Sequence, residues 1–252
     1  MEPILETEKL TKVFYSRRRV PVTALNQVSF RLYPGQILGI VGESGSGKTT
    51  LARAVTRLTP LTGGMVQIEG QDITHIKGAS LRKIYQKIQM VFQCPMESFD
   101  PSCTLGDGIG ESLRNYGYSK RLAAARTEFV LEQCGLSSEF AKRYPREVSV
   151  GQCQRAAIAR ALAIQPKILV CDEATSSLDV TVQRQILKLL RTLQETTRLS
   201  ILFICHDLAL AQSFCDFIIV MKDGVVIEQG RIDEVIHNPK SEYTRDFLAS
   251  VL

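Results

Sequence analysis

The sequence ILGIVGESGSGKTT occupies residues 37–50 and joins a short apolar run to a glycine-rich segment. The apolar run, residues 37–41, predicts a buried strand, and the segment after the glycines predicts a helix over residues 48–58. Between them, residues 42–49 match the pattern GxxxxGK[ST], in which backbone N–H groups surround a phosphate. This loop between a strand and a helix therefore predicts a nucleotide-binding site.

Each residue type in this phosphate loop has a physical part in holding phosphate. Glycines permit backbone geometry closed to other residues, and the helix that follows adds the positive end of its dipole. We expect Lys48 to reach the β- and γ-phosphates and the Thr49 hydroxyl to take a ligand position on Mg²⁺. The residues predicted to contact the nucleotide here are Gly42, Glu43, Ser44, Gly45, Ser46, Gly47, Lys48, Thr49 and Thr50.

A second stretch that can carry chemistry is ILVCDE, residues 168–173. Its apolar part predicts a buried strand whose carboxyl end places Asp172 where open α/β sheets bind ligands. Asp172 can hold Mg²⁺ through water, while Glu173 can face the γ-phosphate and orient the attacking water. A surface turn with two solvated acids is the alternative, which the upstream phosphate loop disfavours.

The hydrophobic pattern of the rest of the chain predicts strands that alternate with helices. The predicted strands cover residues 5–13, 28–32, 65–69, 87–92, 167–171 and 200–205, with a hairpin of residues 217–221 and 225–228 turned at Asp223-Gly224. The predicted helices cover residues 122–134 (ended by Gly135), 152–163 and 180–196, with short helices after Asp233 and near Tyr243.

Buried strands alternating with helices predict an α/β fold: a P-loop NTPase core of mostly parallel sheet with an antiparallel β region and an inserted helical subdomain. We expect one domain over residues 1–252. Its core comprises residues 1–93 and 163–252, and its helical subdomain comprises residues 94–162.

The composition is that of an ordinary globular chain with a mild basic excess. The 252 residues carry a formal net charge of +5 and are 44% hydrophobic, which excludes a disordered chain. None of the seven cysteines forms a CxxC pair, so neither a zinc site nor a disulfide framework is expected, and a reducing compartment is favoured. No signal peptide or membrane-spanning run is recognised, so work at a membrane would need another chain to hold this one there.

Several shorter motifs, in order along the chain, resemble those of the nucleotide-binding subunit of ATP-binding cassette (ABC) transporters. Gln93 at a strand end resembles the Q-loop, and residues 148–152 (VSVGQ) are similar to the signature LSGGQ. Residues 176–179 (SSLD) look like the D-loop, and His206 matches the switch histidine. Phe14, or less favourably its neighbour Tyr15, is placed like the aromatic that stacks on adenine. The resemblance covers nearly the whole chain.

The resemblance implies a set of site residues and a dimer. The implied catalytic residues are Lys48, Gln93, Glu173 and His206, and the implied Mg²⁺ ligands are Thr49, Gln93 and Asp172. In the family, the signature of one subunit closes on the phosphate loop of the other. The residues implied to contact ATP on the partner's phosphate loop are Ser149, Gly151, Gln152 and Asp179, of which Asp179 would lie at the dimer interface. The cofactors would be ATP and Mg²⁺.

Within the family, the chain most resembles the ATPases of oligopeptide, dipeptide and nickel importers. The supporting segments are residues 42–48, QMVFQ at 89–93, DVTVQ at 179–183 and HNPKSEYT at 237–244. The implied partners are integral membrane permeases, a second cassette ATPase and, indirectly, an extracytoplasmic solute-binding protein, with no nucleic acid. The implied location is the cytoplasmic face of the cell membrane.

The chain departs from the family pattern in its signature. Val148 replaces the usual leucine, and Val150 replaces the first glycine. Because a β-branched residue restricts the backbone and adds bulk where phosphate should approach, we expect Val150 to weaken the nucleotide site made with the partner's phosphate loop. Cys94 and Cys205 also stand where the family more often has Asp and Thr or Ser.

Two other functions stay open at this point. One is a regulatory subunit that binds nucleotide but hardly hydrolyses it. The altered signature favours this function, whereas the intact Glu173 and His206 argue against it. The other is a non-transport cassette acting on nucleic acid or ribosomes, for which the expected tandem cassette, long coiled-coil insertion and zinc cysteines are not found in this sequence.

Overall fold

A computed structural model describes residues 1–16, 19–176 and 178–251 of the chain. The strands of the described part are, in chain order, β1 (Leu5–Tyr15), β2 (Pro21–Leu32), β3 (Ile37–Val41), β4 (Gly63–Ile68), β5 (Gln71–Asp72), β6 (Ile88–Val91), β7 (Ile168–Asp172), β8 (Ser200–Ile204), β9 (Phe217–Lys222) and β10 (Val225–Arg231).

The helices lie mainly between these strands. The α-helices of the described part are α1 (Lys48–Val55), α2 (Gly78–Tyr85), α3 (Leu105–Asn115), α4 (Lys120–Gln133), α5 (Val150–Leu162), α6 (Val180–Thr197), α7 (Leu208–Phe214), α8 (Ile232–His237) and α9 (Glu242–Val251). Three short 3₁₀-helices cover Met96–Ser98, Ser138–Lys142 and Pro145–Glu147 within the described residues. In this part of the chain no helix is long and apolar enough to cross a membrane.

The larger sheet has the strand order β10-β9-β3-β8-β7-β6. Strands β9, β3, β8, β7 and β6 run parallel, and only β10 pairs antiparallel, with β9. Every residue of β3, β7 and β8 is buried, as expected for parallel strands covered on both faces. The predicted α/β fold class with a mostly parallel sheet is confirmed.

A smaller antiparallel sheet, β2-β1-β4-β5, packs across helix α1. Helix α1 contacts β2 of this sheet and β7 and β8 of the larger one. Leu51 and Val55 of α1 are fully buried in the core between the two sheets. The small sheet therefore fixes the helix that begins directly after the phosphate loop.

Residues 94–162, which the structure describes completely, contain helices but no strand. Helices α3, α4 and α5 pack on one another, with Ile109, Leu113 and Leu131 fully buried among them. Helix α5 also contacts β6 of the large sheet. The division of the chain into a core and a helical subdomain stays a prediction.

Several predicted boundaries were wrong. Helix α1 ends at Val55 instead of residue 58, because Arg57 takes a left-handed backbone conformation (φ 60°) that stops the helix. Strand β2 begins at Pro21 instead of residue 28, since β1 extends to Tyr15 and pairs with it over that length. Helices α2, α3 and α7 were not predicted.

Candidate active site

Four loops meet at one edge of the large sheet. The phosphate loop follows β3, Glu173 follows β7, His206 follows β8 and Gln93 follows β6. These strands are parallel neighbours, so their carboxyl ends lie side by side. This is the edge at which open α/β sheets bind ligands.

The phosphate loop is enclosed between β9 and β2, and two of its glycines are required there. A Cβ on Gly42 (φ 149°) would lie 2.1 Å from the carbonyl oxygen of Met221, at the end of β9. A Cβ on Gly47 (φ 101°) would lie 2.4 Å from the carbonyl oxygen of Ala24 on β2. Neither site has room for a side chain, which explains these two positions of the motif in terms of packing as well as backbone conformation.

Lys48, the first residue of α1, points its ammonium group back into the phosphate loop. Its Nζ donates hydrogen bonds to the carbonyl oxygens of Gly42 (2.8 Å) and Glu43 (2.7 Å). The residue is only 5% exposed, and this burial lowers the pKa of Lys48, an effect that the carboxylates of Glu173 and Asp172 oppose. A positive charge is thus held at the centre of the loop.

The remaining loop positions differ in exposure. Glu43, Ser44 and Gly45 at the tip are exposed, Ser46 is buried, and Thr50 in the first turn of α1 is half-buried. The backbone of the tip therefore faces solvent, while both ends of the loop are held in the core.

Thr49 and Asp172 bring a hydroxyl and a carboxylate together beside the loop. The Thr49 hydroxyl donates to Oδ1 of Asp172 at 3.0 Å. Burial raises the pKa of Asp172, the hydrogen bond from Thr49 opposes this effect, and the neighbouring Glu173 raises the pKa further. Both side chains line a cleft of about 490 Å³ that Gln93 also borders.

Glu173 is held between Gln93 and His206. The Gln93 amide nitrogen donates to Oε2 of Glu173 at 2.8 Å, and Nδ1 of His206 lies 3.9 Å from the same oxygen. Glu173 takes a left-handed backbone conformation (φ 48°), and its N–H donates to the carbonyl of Ile204 at the end of β8. Residues at three neighbouring strand ends therefore surround one carboxylate, which lies next to Asp172 in the sequence.

The altered signature forms the start of helix α5. Ser149 is the N-cap: its hydroxyl accepts from the Gln152 N–H, and the Gln152 side chain accepts from the Ser149 N–H, which is a capping box. Val150 is the first helical residue, 42% exposed, and its φ is not positive. Valine accepts this helical conformation, so the backbone at Val150 is unstrained; its expected weakening of the partner's nucleotide site stays a prediction.

The start of helix α6 lies against the start of α5. Asp179 caps α6 by accepting from the Val182 N–H at 2.9 Å. A Cβ on Gly151 would lie 2.6 Å from Cγ1 of Val182, so the two helices touch closely at this point. Ser177 of the predicted D-loop lies outside the described residues.

Phe14 lies on β1 opposite Val22 of β2, with its side chain 43% exposed. The Lys12 ammonium lies 4.8 Å from the centre of its ring. Ala24, two residues along β2 from Val22, contacts the phosphate loop through Gly47. Phe14 is thus an exposed aromatic near the same end of the site, as adenine stacking would require.

The structure brings together one group of predicted residues and leaves another apart. The first group is the phosphate loop with Gln93, Asp172, Glu173 and His206. The second is Ser149, Gly151, Gln152 and Asp179. Among residues 1–16, 19–176 and 178–251, no hydrogen bond or ion pair joins the two groups.

Sequence reasoning missed the turn between β9 and β10 as part of the site. The Gly224 N–H donates to the Ser46 carbonyl at 3.0 Å, and the Asn26 N–H donates to the Gly224 carbonyl at 2.8 Å. Asp223 and Gly224 both have positive φ, as a two-residue hairpin turn requires, so the predicted turn is confirmed. The Asp-Gly pair marked the turn, but nothing in the sequence indicated that it contacts the phosphate loop.

Comparison with known proteins gives close relatives. A sequence model described as "ABC transporter" matches residues 25–176. The oligopeptide transport ATP-binding protein OppF of Salmonella typhimurium is 43% identical over 90% of this chain and 69% of its own length. The glutathione import ATP-binding protein GsiA of Escherichia coli K12 is 44% identical over 99% of this chain, which spans only 41% of that protein.

Solved structures agree with these relatives. The ATP-binding cassette MJ0796, in a dimeric post-hydrolysis state bound to ADP and Pi, is 30% identical with a TM-score of 0.83, covering 90% of this chain and 98% of that one. The cassette cbiO1 from Clostridium perfringens, part of an ABC transporter complex, is 26% identical with a TM-score of 0.82, covering 94% and 92%. With the geometry above, these matches show that the chain belongs to the ABC transporter family and is an ATP-binding, ATP-hydrolysing cassette.

Proposed function

We propose that this cassette powers the import of peptides across a cell membrane. The observation that supports hydrolysis is the position of the Glu173 carboxylate beside the phosphate loop. Gln93 contacts this carboxylate at 2.8 Å, and His206 approaches it at 3.9 Å. The peptide substrate is supported by the relatives, since OppF from Salmonella typhimurium and Streptococcus mutans are both described as oligopeptide transport ATP-binding proteins. Nickel chelates stay an alternative cargo.

Each residue of the first group has a part in hydrolysis that its position supports. Lys48 exchanges its contacts with loop carbonyls for contacts with the β- and γ-phosphates of ATP. The negative charge of these phosphates then offsets the cost of burying the Lys48 ammonium group. Glu173 accepts a hydrogen bond from the attacking water and orients it toward the γ-phosphorus. His206 and Gln93 hold that carboxylate and contact the γ-phosphate, and Phe14 stacks on adenine.

The donors beside the phosphate loop fit a magnesium ion. Thr49 and Asp172 supply hydroxyl and carboxylate oxygens, and Gln93 supplies an amide oxygen at the same cleft. No cluster of three or more His, Cys, Asp or Glu side chains able to hold a metal occurs in the part of the chain that the structure describes. This fits Mg²⁺, which takes few protein ligands and keeps phosphate and water oxygens. When bound, it would neutralise charge that develops on the phosphates.

The second group of residues supports a dimer. Ser149, Gly151, Gln152 and Asp179 would contact ATP held on the phosphate loop of a second cassette, with the N-terminus of α5 facing phosphate. The proposed partners are that second cassette, two membrane permeases and, through them, an extracytoplasmic solute-binding protein. The chain would then lie at the cytoplasmic face of the membrane.

The test is Glu173→Gln in the complex co-purified with its permeases. We expect ATP binding to persist and turnover to fall by about 100-fold or more, since the oriented water is lost. Glu132→Gln, at an exposed position of α4, is the matched control. Unchanged turnover in Glu173→Gln would instead support the regulatory subunit that hardly hydrolyses ATP.

The cargo is tested separately, in vesicles that contain the complex and its solute-binding protein. We expect ATP-dependent uptake of labelled oligopeptides, and we expect Glu173→Gln to abolish this uptake. Uptake of nickel chelates without peptide uptake would contradict the peptide proposal and leave the ATPase proposal intact.

A further inference from the structure

The segment at residues 237–244 has no part in the site described so far, yet the structure fixes its position closely. Before helix α9, the N–H groups of Lys240 and Ser241 donate to the two carboxylate oxygens of Glu228 at 2.9 and 3.1 Å. Glu228, on β10, is only 9% exposed; burial opposes its ionisation, but the two backbone hydrogen bonds lower the pKa of Glu228 overall. One buried carboxylate thus anchors the start of α9 to the β9–β10 hairpin.

This anchor places Tyr243 beside the phosphate loop. The Lys222 ammonium lies 4.4 Å from the centre of the Tyr243 ring, and the Phe247 ring stacks on the same residue at 6.1 Å. Burial raises the pKa of the Tyr243 phenol, and the adjacent carboxylate of Glu43 raises it further. The hydroxyl is buried beside Glu43 of the phosphate loop, although no partner meets hydrogen-bond geometry within the described residues. The ring thus contacts Lys222 and Phe247, and the hydroxyl approaches the phosphate loop at Glu43.

Lys222 connects this ring to the phosphate loop through the backbone. Its neighbour Met221 places a carbonyl oxygen against Gly42, where even a methyl group would collide. Two residues further on, the Gly224 N–H donates to the carbonyl of Ser46. The β9–β10 turn therefore contacts the phosphate loop near both of its ends, and Tyr243 is packed against the residue between these contacts.

We propose that Tyr243 and Lys222 are positioning residues for the phosphate loop, so that helix α9 sets how tightly the cassette holds nucleotide. A phosphate loop binds through backbone N–H groups whose directions must be fixed before the ligand arrives. The loop tip is exposed, so its shape depends on what supports its ends. Loss of the ring or of the cation would loosen the turn and weaken binding without removing a group that contacts phosphate.

The test is direct titration of the purified full chain with ADP and with ATP, and Kd is the measured quantity. We expect Tyr243→Leu and Lys222→Gln each to raise Kd by about fivefold, the upper end of the effect of losing one exposed cation–π contact. Tyr243→Phe keeps the ring and loses only the hydroxyl beside Glu43, so its Kd should lie closer to that of the unchanged chain than to that of Tyr243→Leu. Tyr116→Leu is the matched control. Tyr116 is also a half-buried tyrosine, but its hydroxyl donates to the carbonyl of Arg82 instead of approaching the phosphate loop.

A purely structural role of Tyr243 would give a different result. It would lower the unfolding temperature of Tyr243→Leu but leave the Kd unchanged in protein that is still folded, and that result would overturn the proposal. An equal rise in Kd for Tyr116→Leu would overturn it as well. If Tyr243→Leu does not fold, the Kd of Lys222→Gln alone tests the proposal. Lys222 is exposed, so its replacement should leave the protein folded.

Linkage supplies a second measurement on the unmodified chain. If α9 strengthens nucleotide binding, nucleotide must stabilise the docking of α9 by the same factor. We expect ADP to slow amide hydrogen exchange in residues 243–249 by about fivefold, the same factor as the change in Kd. Exchange there that nucleotide leaves unchanged would contradict the coupling, whatever the variants show.

Discussion

Two buried charges beside the phosphate loop are held at a cost to the stability of the free chain. Burial lowers the pKa of Lys48 and raises the pKa of Asp172, so each group resists its charged form. Removing charges from water is expensive unless partners compensate fully, and here Asp172 receives one hydrogen bond, from Thr49. We infer that the site is built for a ligand that brings the missing partners and trades stability for function.

Asp172→Asn should therefore make the free chain more stable and the enzyme inactive. Asparagine keeps an acceptor for the Thr49 hydroxyl but carries no charge to bury, so the unfolding temperature should rise by about 2–4 °C, or about 1 kcal/mol in a chain of this size. Magnesium-dependent ATP hydrolysis should be lost. Thermal unfolding and a turnover assay measure the two effects.

The pH dependence of that stability gain has a defined sign. The pKa of Asp172 is raised in the folded state, so the fold binds this proton more tightly than the unfolded chain does. The cost of the ionised carboxylate is thus present above the raised pKa and disappears as pH falls through it. The advantage of the asparagine variant should shrink as pH is lowered; an advantage that grows would show that charge burial is not its source.

Val150 tests whether bulk at the start of α5 limits the partner's site. Its backbone is unstrained and its side chain is 42% exposed, so the valine methyl groups are what an approaching phosphate would meet. Val150→Gly should raise the ATPase rate of the assembled complex by about threefold, equivalent to about 0.6 kcal/mol. An unchanged rate would contradict the idea, and Val180→Gly, at the exposed first residue of α6, controls for loss of an apolar side chain.

At the scale of elements, the contact between α5 and α6 sets the direction in which the signature helix points. Gly151→Ala would place a methyl 2.6 Å from the stiff side chain of Val182. We expect it to destabilise the chain by about 1–2 kcal/mol and to lower turnover of the dimer. Adding Val182→Ala should restore both, because it removes the atom that the new methyl meets. Failure of the double variant to recover would place the effect elsewhere than in this contact.

The elements that the sequence predicted are those whose pattern is set locally. Strands β3, β7 and β8 each contain a run of at least four apolar or glycine residues, and α6 has a clear apolar stripe between an aspartate cap and the next strand. Helix α3 was not predicted because it contains three glycines, which weaken any helical pattern. The structure gives the reason: a Cβ on Gly108 would lie 2.7 Å from the ring of Phe99, so close packing requires glycine where propensity opposes it.

The same distinction applies to the site. The phosphate loop, Asp172 and Glu173 could be predicted because their chemistry is carried by adjacent residues. The proposed support from Tyr243 could not, because it depends on a hairpin and on helix α9, which meet the loop from about 200 residues away. Contacts of that kind follow from tertiary packing and have no periodic pattern in the sequence.

At the scale of the whole molecule, the two groups of predicted site residues lie in different places on one chain. The first group surrounds Lys48, and the second begins helices α5 and α6, with no hydrogen bond or ion pair between them within residues 1–16, 19–176 and 178–251. In the dimer proposed above, a complete site would need two cassettes arranged head to tail, each giving its signature to the other. ATP between them would act as a shared ligand that stabilises the closed pair.

This arrangement predicts separate effects on binding and on dimerisation. In a Glu173→Gln chain, which should hold ATP without consuming it, ATP is expected to shift the sedimentation coefficient from that of one cassette to that of a pair. Ser149→Arg in the same background should abolish the shift, because the larger cationic side chain blocks the start of α5, while the Kd for ATP on the chain's own phosphate loop stays within about twofold.

The matched control is Ser119→Arg. Ser119 is also an exposed serine that caps a helix, accepting from the Leu122 N–H at the start of α4. Both changes remove a cap and cost about 1 kcal/mol, so a difference between them cannot come from loss of capping. A dimer that Ser149→Arg leaves intact would mean that the start of α5 does not face the partner's ATP. Loss of the dimer in both variants would trace the effect to helix stability instead of the interface.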